Sequence, residues 1–326
     1  MGISDLFRKK NNKKPTYEYA PMPDNMRGER LIVQQQKLQK RQINIDVFKD
    51  TLARIESDDR LNIRTQAAAG ATYIIEEGFR AEDPRSFSEP HIDFEENLTL
   101  ITARRYADHK KTAVLNFANP LEPGGGVTRG ADAQEEYLCR ASNLYKCLTG
   151  PNAAPFYEVH DRQRNIRNSG GLFLASDRII YSPGVTVFRK DTGYLPYDDV
   201  RHIGSSSQEY TDEWVSIDVL TCAAPIVLDE TNLPPEDFLY RVFNKRVRNI
   251  FEAAMDNDIE VLVLGAFGCG AFRNPPKTVA RAFGDVLREK RYENAFSDVI
   301  FAVKRTGWYC ENSEAFEEVF SSFKMT

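Results

Sequence analysis

Two adjacent acids, Glu135 and Glu136, are the residues of this sequence best suited to acid–base chemistry. They follow a stretch that begins at the end of a predicted strand and ends where a helix is predicted. The stretch contains two asparagines, three consecutive glycines, a valine and a glutamine: Asn116, Asn119, Gly124, Gly125, Gly126, Val127 and Gln134. A carboxylic acid can protonate a leaving group when burial or a like-charged neighbour raises its pKa. Each of the two glutamates has the other as such a neighbour.

The same pair also has a purely structural interpretation. Negative charge is favoured at a helix N-terminus, so Glu135 and Glu136 could simply complement the helix dipole. Three glycines upstream make a ligand site the more specific interpretation, because glycine lets the backbone approach a ligand closely. In open α/β sheets, ligands bind at the carboxyl ends of the strands, where this stretch is predicted to lie.

A second glycine-rich loop follows the apolar run Val261–Leu264 and precedes a helix that opens with prolines. It contains three glycines, a cysteine and an aromatic residue: Gly265, Gly268, Gly270, Cys269 and Phe272. Such a loop can offer backbone N–H groups to an anion, although a plain tight turn would have the same composition. The spacing excludes a P-loop. Cys269 could be a nucleophile, but no histidine lies near it in the sequence, and a packing role is favoured.

Composition excludes several classes of protein. The 326 residues carry 43 Lys+Arg and 48 Asp+Glu, so we expect no binding to duplex nucleic acid, which usually requires a basic protein. No apolar stretch approaches the roughly 20 residues that span a bilayer, and the N-terminus lacks the apolar core of a signal peptide. We therefore expect no membrane association, a cytoplasmic protein (or a nuclear one in a eukaryote), and a monomer.

We expect neither a metal nor a cofactor. The five cysteines include no close pair, and the four histidines show no metal-ligand spacing: His91, His109, His160 and His202. An odd number of scattered cysteines also favours a reducing compartment over a disulfide scaffold.

Residues 1–42 differ from the rest of the chain, because they hold 10 Lys+Arg and 4 Asp+Glu, a balance of +6 on a chain of net charge −5. This composition predicts a disordered or loosely attached basic arm. The arm could contact a polyanion, or it could be a solvated tail.

From residue 43 onward, the spacing of Ile45, Phe48, Leu52 and Ile55 predicts an amphipathic helix, and an alternation of strands and helices follows. Strands are predicted over 98–103, 113–117, 172–182, 215–223, 259–266 and 298–303. Helices are predicted over 135–149, 238–255, 276–290 and 313–323. Apolar strands covered by helices on both faces indicate a three-layer α/β/α sandwich formed by one domain, residues 43–326.

The order of these motifs resembles that of the poly(ADP-ribose) glycohydrolases of the macrodomain superfamily, and their microbial type most closely. The resemblance rests on Asn116-x-x-Asn119, the Gly-Gly-Gly-Val run, Gln134-Glu135-Glu136, Tyr181–Val185, Asp218–Pro225 and Leu264–Phe272. It extends from about residue 44 to the C-terminus. It implies a macrodomain sandwich with a mixed central sheet, preceded by an N-terminal helical extension.

The resemblance also implies roles. Glu136 corresponds to the catalytic acid, and Glu135 to the neighbour that holds the ribose hydroxyls. Asn119 and the Gly124–Gly126 run would surround the distal ribose, with Val127 and Gln134 beside them. Gly268, Cys269 and Gly270 would form the diphosphate loop, and Phe272 would pack against the distal ribose. The turn with Ser182, Gly184 and Val185 would face the phosphates or the proximal ribose. No residue is assigned to the adenine.

The function that follows is hydrolysis of the ribose–ribose O-glycosidic bond of poly(ADP-ribose), with ADP-ribose and ADP-ribosylated macromolecules as binding partners. Two alternatives stay open at this stage. One is a hydrolase of the same fold that removes mono-ADP-ribose from protein or nucleic acid. The other is a non-catalytic ADP-ribose reader, which the intact Glu135-Glu136 pair disfavours because binding alone would not require it.

Overall fold

The computed structural model describes residues 24–82, 85–164, 171–189, 210–232, 234–305, 310–321 and 323. In order, the elements are α1 (Asp24–Ser57), α2 (Asp59–Ala71), β1 (Tyr73–Ile75), β2 (His91–Glu95), α3 (Thr99–Ala107), β3 (Thr112–Phe117), α4 (Gln134–Ala141), α5 (Leu144–Leu148), α6 (Ala154–Arg164), β4 (Leu172–Phe173), β5 (Ile179–Arg189), β6 (Tyr210–Cys222), β7 (Ile226–Val227), α7 (Glu236–Asp256), β8 (Val261–Leu264), α8 (Pro276–Leu287), β9 (Asp298–Ala302) and α9 (Glu311–Phe320).

Seven of these strands form the central sheet, in the order β1-β5-β6-β3-β8-β9-β2. The pairs from β6 through β3, β8 and β9 to β2 are parallel, whereas β5 runs antiparallel to both β6 and β1. The sheet is therefore mixed, as expected. The carboxyl ends of β6, β3, β8, β9 and β2 share one edge, and the loops that follow them meet there.

Helices cover both faces of the sheet. The larger core lies under α7, α8 and α9 and is rich in buried phenylalanines such as Phe251, Phe283 and Phe301. The second core lies under α1 to α6 and includes Phe48, Leu100 and Leu138. Together the two cores confirm the predicted three-layer α/β/α architecture.

Three predicted elements differ from the structure. The strand predicted at 98–103 is the start of helix α3: Thr99, Leu100 and Ala103 are buried and Ile101 is 44% exposed, which is helical rather than alternating burial. The strand predicted at 172–182 is two strands: β4 pairs with β7 in a separate two-stranded sheet, and β5 belongs to the central sheet. Between them, the carbonyls of Leu174 and Ala175 accept hydrogen bonds from Arg246.

The helix predicted at 135–149 is interrupted between α4 and α5. Ser142 adopts an extended conformation with φ −144°, and its hydroxyl accepts a hydrogen bond from the Leu144 N–H at 3.2 Å. Asn143 turns toward the sheet, where its side-chain oxygen accepts from the Thr186 N–H. Local side-chain bonds to the backbone thus compete with the helix here.

The N-terminal arm also differs in part from the prediction. Helix α1 begins at Asp24, so residues 24–42 are helical and continue into the predicted amphipathic helix instead of being irregular. This stretch is rich in good helix formers such as Gln, Lys, Arg and Leu, and it follows the last proline of the arm, Pro23. Residues 1–23 of the predicted arm, and His202, lie outside the described residues. In the described part of the chain, no helix is long and apolar enough to cross a membrane.

Candidate active site

A cleft of about 450 Å³ opens at the carboxyl edge of the sheet, above β3, β8, β9 and the start of α3. Its lining includes eight residues that the sequence singles out: Asn119, Gly126, Gln134, Glu135, Glu136, Gly268, Gly270 and Phe272. The two glycine-rich loops, which are about 140 residues apart in the chain, therefore face one another across a single cleft.

Glu135 lies at the first turn of α4 and is almost fully buried. Its Oε2 accepts a hydrogen bond from the Asn119 N–H at 2.7 Å, and its Oε1 accepts one from the Asn116 side-chain amide at 3.3 Å. Burial, followed by the nearby charge of Glu136, raises the pKa of Glu135 well above its ordinary value. Burial thus favours the protonated form of Glu135 more than it would in an exposed glutamate.

Glu136 lies beside it and is also buried. Its Oε1 accepts a hydrogen bond from the Gly126 N–H at 2.7 Å, and its Oε2 accepts one from the Ala133 N–H at 3.0 Å. Ala133 is the residue that precedes the helix, so the second bond is the glutamate half of a capping box. Two backbone groups therefore fix the orientation of this carboxyl group in the cleft.

The three glycines bring the backbone against the two acids. Gly124 and Gly125 have φ of +67° and +60°. A Cβ atom on Gly125 would lie 2.5 Å from Glu136 Oε1 and 3.0 Å from Glu135 Oε2, which no side chain could tolerate without moving the carboxyl groups. Val127 begins a short 3₁₀ turn and is buried in the core, so it supports the loop rather than lining the cleft.

Asn119 and Gln134 have different relations to the cleft. The Asn119 side-chain oxygen accepts hydrogen bonds from the N–H groups of Leu121 and Glu122, and its Nδ2 has no acceptor among the described residues, so it is available to a ligand. Gln134 uses both ends of its amide on β3, donating to the Leu115 carbonyl and accepting from the Phe117 N–H. Gln134 therefore replaces a strand neighbour where the pairing of β3 with β8 ends.

The second glycine loop is closed on itself by Asn274. The backbone N–H and the side-chain amide of Asn274 both donate to the Gly268 carbonyl, at 3.1 and 2.9 Å. Gly268 has φ +74°, and a Cβ there would lie 2.4 Å from the Ala224 Cβ. Three residues that line the cleft have backbone N–H groups with no acceptor among the described residues: Gly268, Gly270 and Ala271. They form a ready site for an anion.

Cys269 and Phe272 complete this loop. The Cys269 thiol lies 3.6 Å from the Phe267 carbonyl, to which it donates, and burial raises the pKa of this thiol above its ordinary value. A thiol in that state is a poor nucleophile, which agrees with the packing role that the sequence favours. Cys269 does not line the cleft, whereas Phe272 does, at 9% exposure.

The structure does not bring Ser182, Gly184 and Val185 to the cleft. They lie within β5, and Ser182 and Val185 are opposite Val219 and Ile217 of β6. Ser182 and Val185 are fully buried, and the Gly184 N–H donates to Asp218 at 2.8 Å. Because β5 runs antiparallel to β6, its residues beyond Tyr181 move away from the carboxyl edge. The prediction that they face the phosphates or the proximal ribose is therefore wrong.

Several cleft residues were not identified from the sequence. Asn97, Lys304 and Asn312 line the cleft, as does Thr99, whose hydroxyl accepts a hydrogen bond from the Gln134 side-chain amide at 3.3 Å. Arg129, whose guanidinium pairs with Glu122 at 2.5 Å, lies at the rim beside Gly126. Asn97 follows the edge strand His91–Glu95, for which the sequence carries no clear alternating pattern. In the described residues, no group of three or more His, Cys, Asp or Glu side chains is arranged to hold a metal ion.

Comparisons with known proteins agree with this geometry. Residues 42–190 match the family model "Microbial-type PARG, catalytic domain". The crystal structure of poly(ADP-ribose) glycohydrolase from Thermomonospora curvata is 30% identical, with a TM-score of 0.71 over 85% of this chain and 99% of that chain. The same protein bound to the inhibitor ADP-HPD is 29% identical, with a TM-score of 0.69 over 84% and 98%.

A third structure is the poly(ADP-ribose) glycohydrolase from Deinococcus radiodurans in complex with ADP-ribose. It is 30% identical, with a TM-score of 0.63 over 78% of this chain and 95% of that chain. No curated protein sequence matches the chain.

Proposed function

We propose, since this chain belongs to the microbial-type poly(ADP-ribose) glycohydrolases, that it hydrolyses the ribose–ribose O-glycosidic bond of poly(ADP-ribose) and releases ADP-ribose. The family is a glycosidase family, and the cleft above β3, β8 and β9 is the place for the reaction. ADP-ribosylated macromolecules are then the partners of this cleft.

We assign the general acid and base to Glu136. The observation that carries this assignment is the orientation of its carboxyl group by the Gly126 and Ala133 N–H groups in the wall of the cleft. Glu135 is engaged by the Asn116 amide and the Asn119 N–H, and its burial and the charge of Glu136 raise its pKa. Each carboxyl oxygen of Glu135 has a second lone pair, which would accept a hydrogen bond from a hydroxyl group of the distal ribose.

The remaining cleft residues fit the other parts of ADP-ribose. The three N–H groups of the Gly268–Ala271 loop suit the diphosphate, because unsatisfied backbone donors bind anions. Phe272 offers an apolar face to the distal ribose, and the Asn119 Nδ2 offers a donor to a ribose hydroxyl. Since the first glycine loop follows β3 and the second follows β8, the rest of the nucleotide would lie toward β9 and β2, where Asn97, Lys304 and Asn312 line the cleft.

The reaction in this arrangement has two steps. In the first, Glu136 donates its proton to the glycosidic oxygen, the C1–O bond breaks with both electrons on that oxygen, and the distal ribose passes through an oxocarbenium-like state. In the second, water attacks C1 and its proton returns to the Glu136 carboxylate. The products are free ADP-ribose and a polymer shortened by one unit with a restored hydroxyl group.

The test is the substitution Glu136→Gln, which preserves size but removes the transferable proton. The rate of ADP-ribose release from automodified polymer should fall by about 10²- to 10⁴-fold, as is usual for a lost general acid. Calorimetry should still detect ADP-ribose binding. The matched control is Glu122→Gln at the cleft rim, which removes a carboxylate paired with Arg129 and should retain most of the rate.

Wild-type turnover by Glu136→Gln would show that another group delivers the proton. The same assay run on mono-ADP-ribosylated protein and on mono-ADP-ribosylated nucleic acid identifies the substrate, because a polymer hydrolase should release product mainly from the polymer.

A further inference from the structure

Helix α1 contacts the loop between β3 and α4, which leads to Glu136, at Gly130. This glycine has φ +71°, and a Cβ atom there would lie 2.2 Å from the carbonyl oxygen of Arg41 in the middle of α1. The buried Asn44, one turn further along α1, donates from its side-chain amide to the Gly130 carbonyl at 3.2 Å. A helix that the sequence places outside the α/β alternation therefore packs directly on the loop that follows β3.

The contact point lies between the two donors that orient Glu136. Residues 126–133 begin with the Gly126 N–H and end with the Ala133 N–H, and both donate to the Glu136 carboxyl group. Within this segment the Ala131 N–H donates to the Gly126 carbonyl at 3.1 Å. A displacement of residues 130 and 131 would therefore reach Gly126 through its carbonyl, and the N–H of the same residue holds Glu136.

Other residues of α1 and α4 bond to residues 131 and 132 of this loop. Lys40 forms an ion pair with Asp132. The buried Arg140 donates to the Ala131 carbonyl at 2.6 Å and to Asp132 at 3.0 Å. Further along α1, Phe48 packs edge-on against the Tyr145 ring at 4.9 Å between centroids. That ring lies against Gly124, where a Cβ would approach it to 2.8 Å.

We propose that Asn44 is a positioning residue for catalysis, which acts by fixing Gly130 and, through it, the Gly126 N–H that orients Glu136. The inference rests on the role proposed above for Glu136. Asn44 lies away from the lining of the cleft, so its effect must pass through the loop. Sensitivity of the rate is expected, because misplacement of a catalytic group by about 1 Å can lower a rate about 100-fold.

The test compares Asn44→Ala with Thr51→Val in the full-length chain. Thr51 is a buried residue of the same helix, and its hydroxyl donates at 2.6 Å to the backbone carbonyl of Arg140, near the C-terminus of α4, whereas the bonds of Arg140 to Ala131 and Asp132 come from its guanidinium. Each substitution removes one buried hydrogen bond from side chain to backbone. For Asn44→Ala we expect kcat to fall at least about tenfold with KM within about twofold, because the diphosphate loop is untouched.

Thr51→Val should lower the unfolding temperature as much as Asn44→Ala and leave kcat within about twofold. The nearly isosteric Asn44→Asp should lose at least as much kcat as Asn44→Ala, because it places an acceptor against the Gly130 carbonyl. Wild-type kcat in a folded Asn44→Ala protein would overturn the proposal, as would equal losses of kcat in the Asn44 and Thr51 variants. If Asn44→Ala does not fold, Asn44→Ser is the milder variant, and the same two outcomes decide.

A double variant separates this inference from the function on which it rests. If Asn44 acts through Glu136, adding Asn44→Ala to Glu136→Gln should lower the residual rate no further. A further tenfold loss in the double variant would mean that Asn44 acts elsewhere. Retention of activity by Glu136→Gln alone would refute the assignment of Glu136, whereas loss in Glu136→Gln with intact kcat in Asn44→Ala would refute only the role of Asn44.

Discussion

The substitution Gly125→Ala tests the close approach of backbone and acids most directly. An added Cβ would lie 2.5 Å from Glu136 Oε1, whereas real Cβ contacts are tight at 3.0–3.4 Å, so the carboxyl oxygen must withdraw by about 0.5–0.9 Å. Glu135 Oε2, at 3.0 Å from the same position, limits any compensating rotation of the loop. The carboxyl group that delivers the proton is therefore the group that moves.

Two effects follow, and they can be measured separately. The left-handed backbone at φ +60° costs an alanine about 1–2 kcal/mol, which should appear as a lower free energy of unfolding. Displacement of Glu136 by most of an ångström should lower kcat by about 10- to 100-fold. ADP-ribose affinity should change less than kcat, since the anion-binding N–H groups belong to the other loop.

Gly78→Ala is the matched control. Gly78 also has a left-handed backbone, with φ +71°, but an added Cβ would meet nothing within 4 Å. It should therefore show the same loss of stability with wild-type kcat. Initial rates of ADP-ribose release from polymer, together with urea unfolding, measure both quantities for both variants. A Gly125→Ala protein that is folded and has the kcat of Gly78→Ala would refute the geometric argument.

Two further predictions concern the phosphate loop and a buried histidine. The Gly270→Val variant should fold normally, because a Cβ at Gly270 meets nothing within 4 Å. Calorimetry should show at least about tenfold weaker ADP-ribose binding, because the valine side chain blocks the N–H groups of the loop. Equal affinity of the variant and the wild type would show that this loop is not part of the binding site. Burial lowers the pKa of His160 to about 4 from 6.5, so the unfolded chain binds the proton more readily. The free energy of unfolding should therefore fall by about 3 kcal/mol as the pH drops from 6.5 toward 4, relative to the His160→Gln variant. Free energies of unfolding that depend on pH in the same way in both proteins would contradict this prediction.

The α/β alternation and both glycine loops can be predicted from the amino-acid sequence alone. Strands β3, β8 and β9 and helices α7, α8 and α9 lie within a few residues of their predicted positions, because long apolar runs and helical periodicity are strong local signals. The glycines and acids of the two loops could be identified because few residue types adopt a positive φ readily or can act as a proton donor in a site. That the loops belong to one site followed only from the resemblance to a family.

Other features depend on contacts between distant segments and cannot be predicted from local sequence patterns. The edge strand His91–Glu95 is formed by pairing with β9, which is distant in the sequence. A local pattern does not show this pairing, and the apolar residues 98–103 were therefore predicted as a strand. Strand direction placed Ser182 and Val185 away from the cleft, since a sequence segment carries no sign of whether its neighbour runs parallel or antiparallel. The raised pKa of Glu135 depends on its burial and on Glu136, and the loop that donates to Glu136 contacts Arg41 and Asn44 of α1 at Gly130. Each of these is a long-range contact, and burial, strand direction and loop support arise only when distant segments meet.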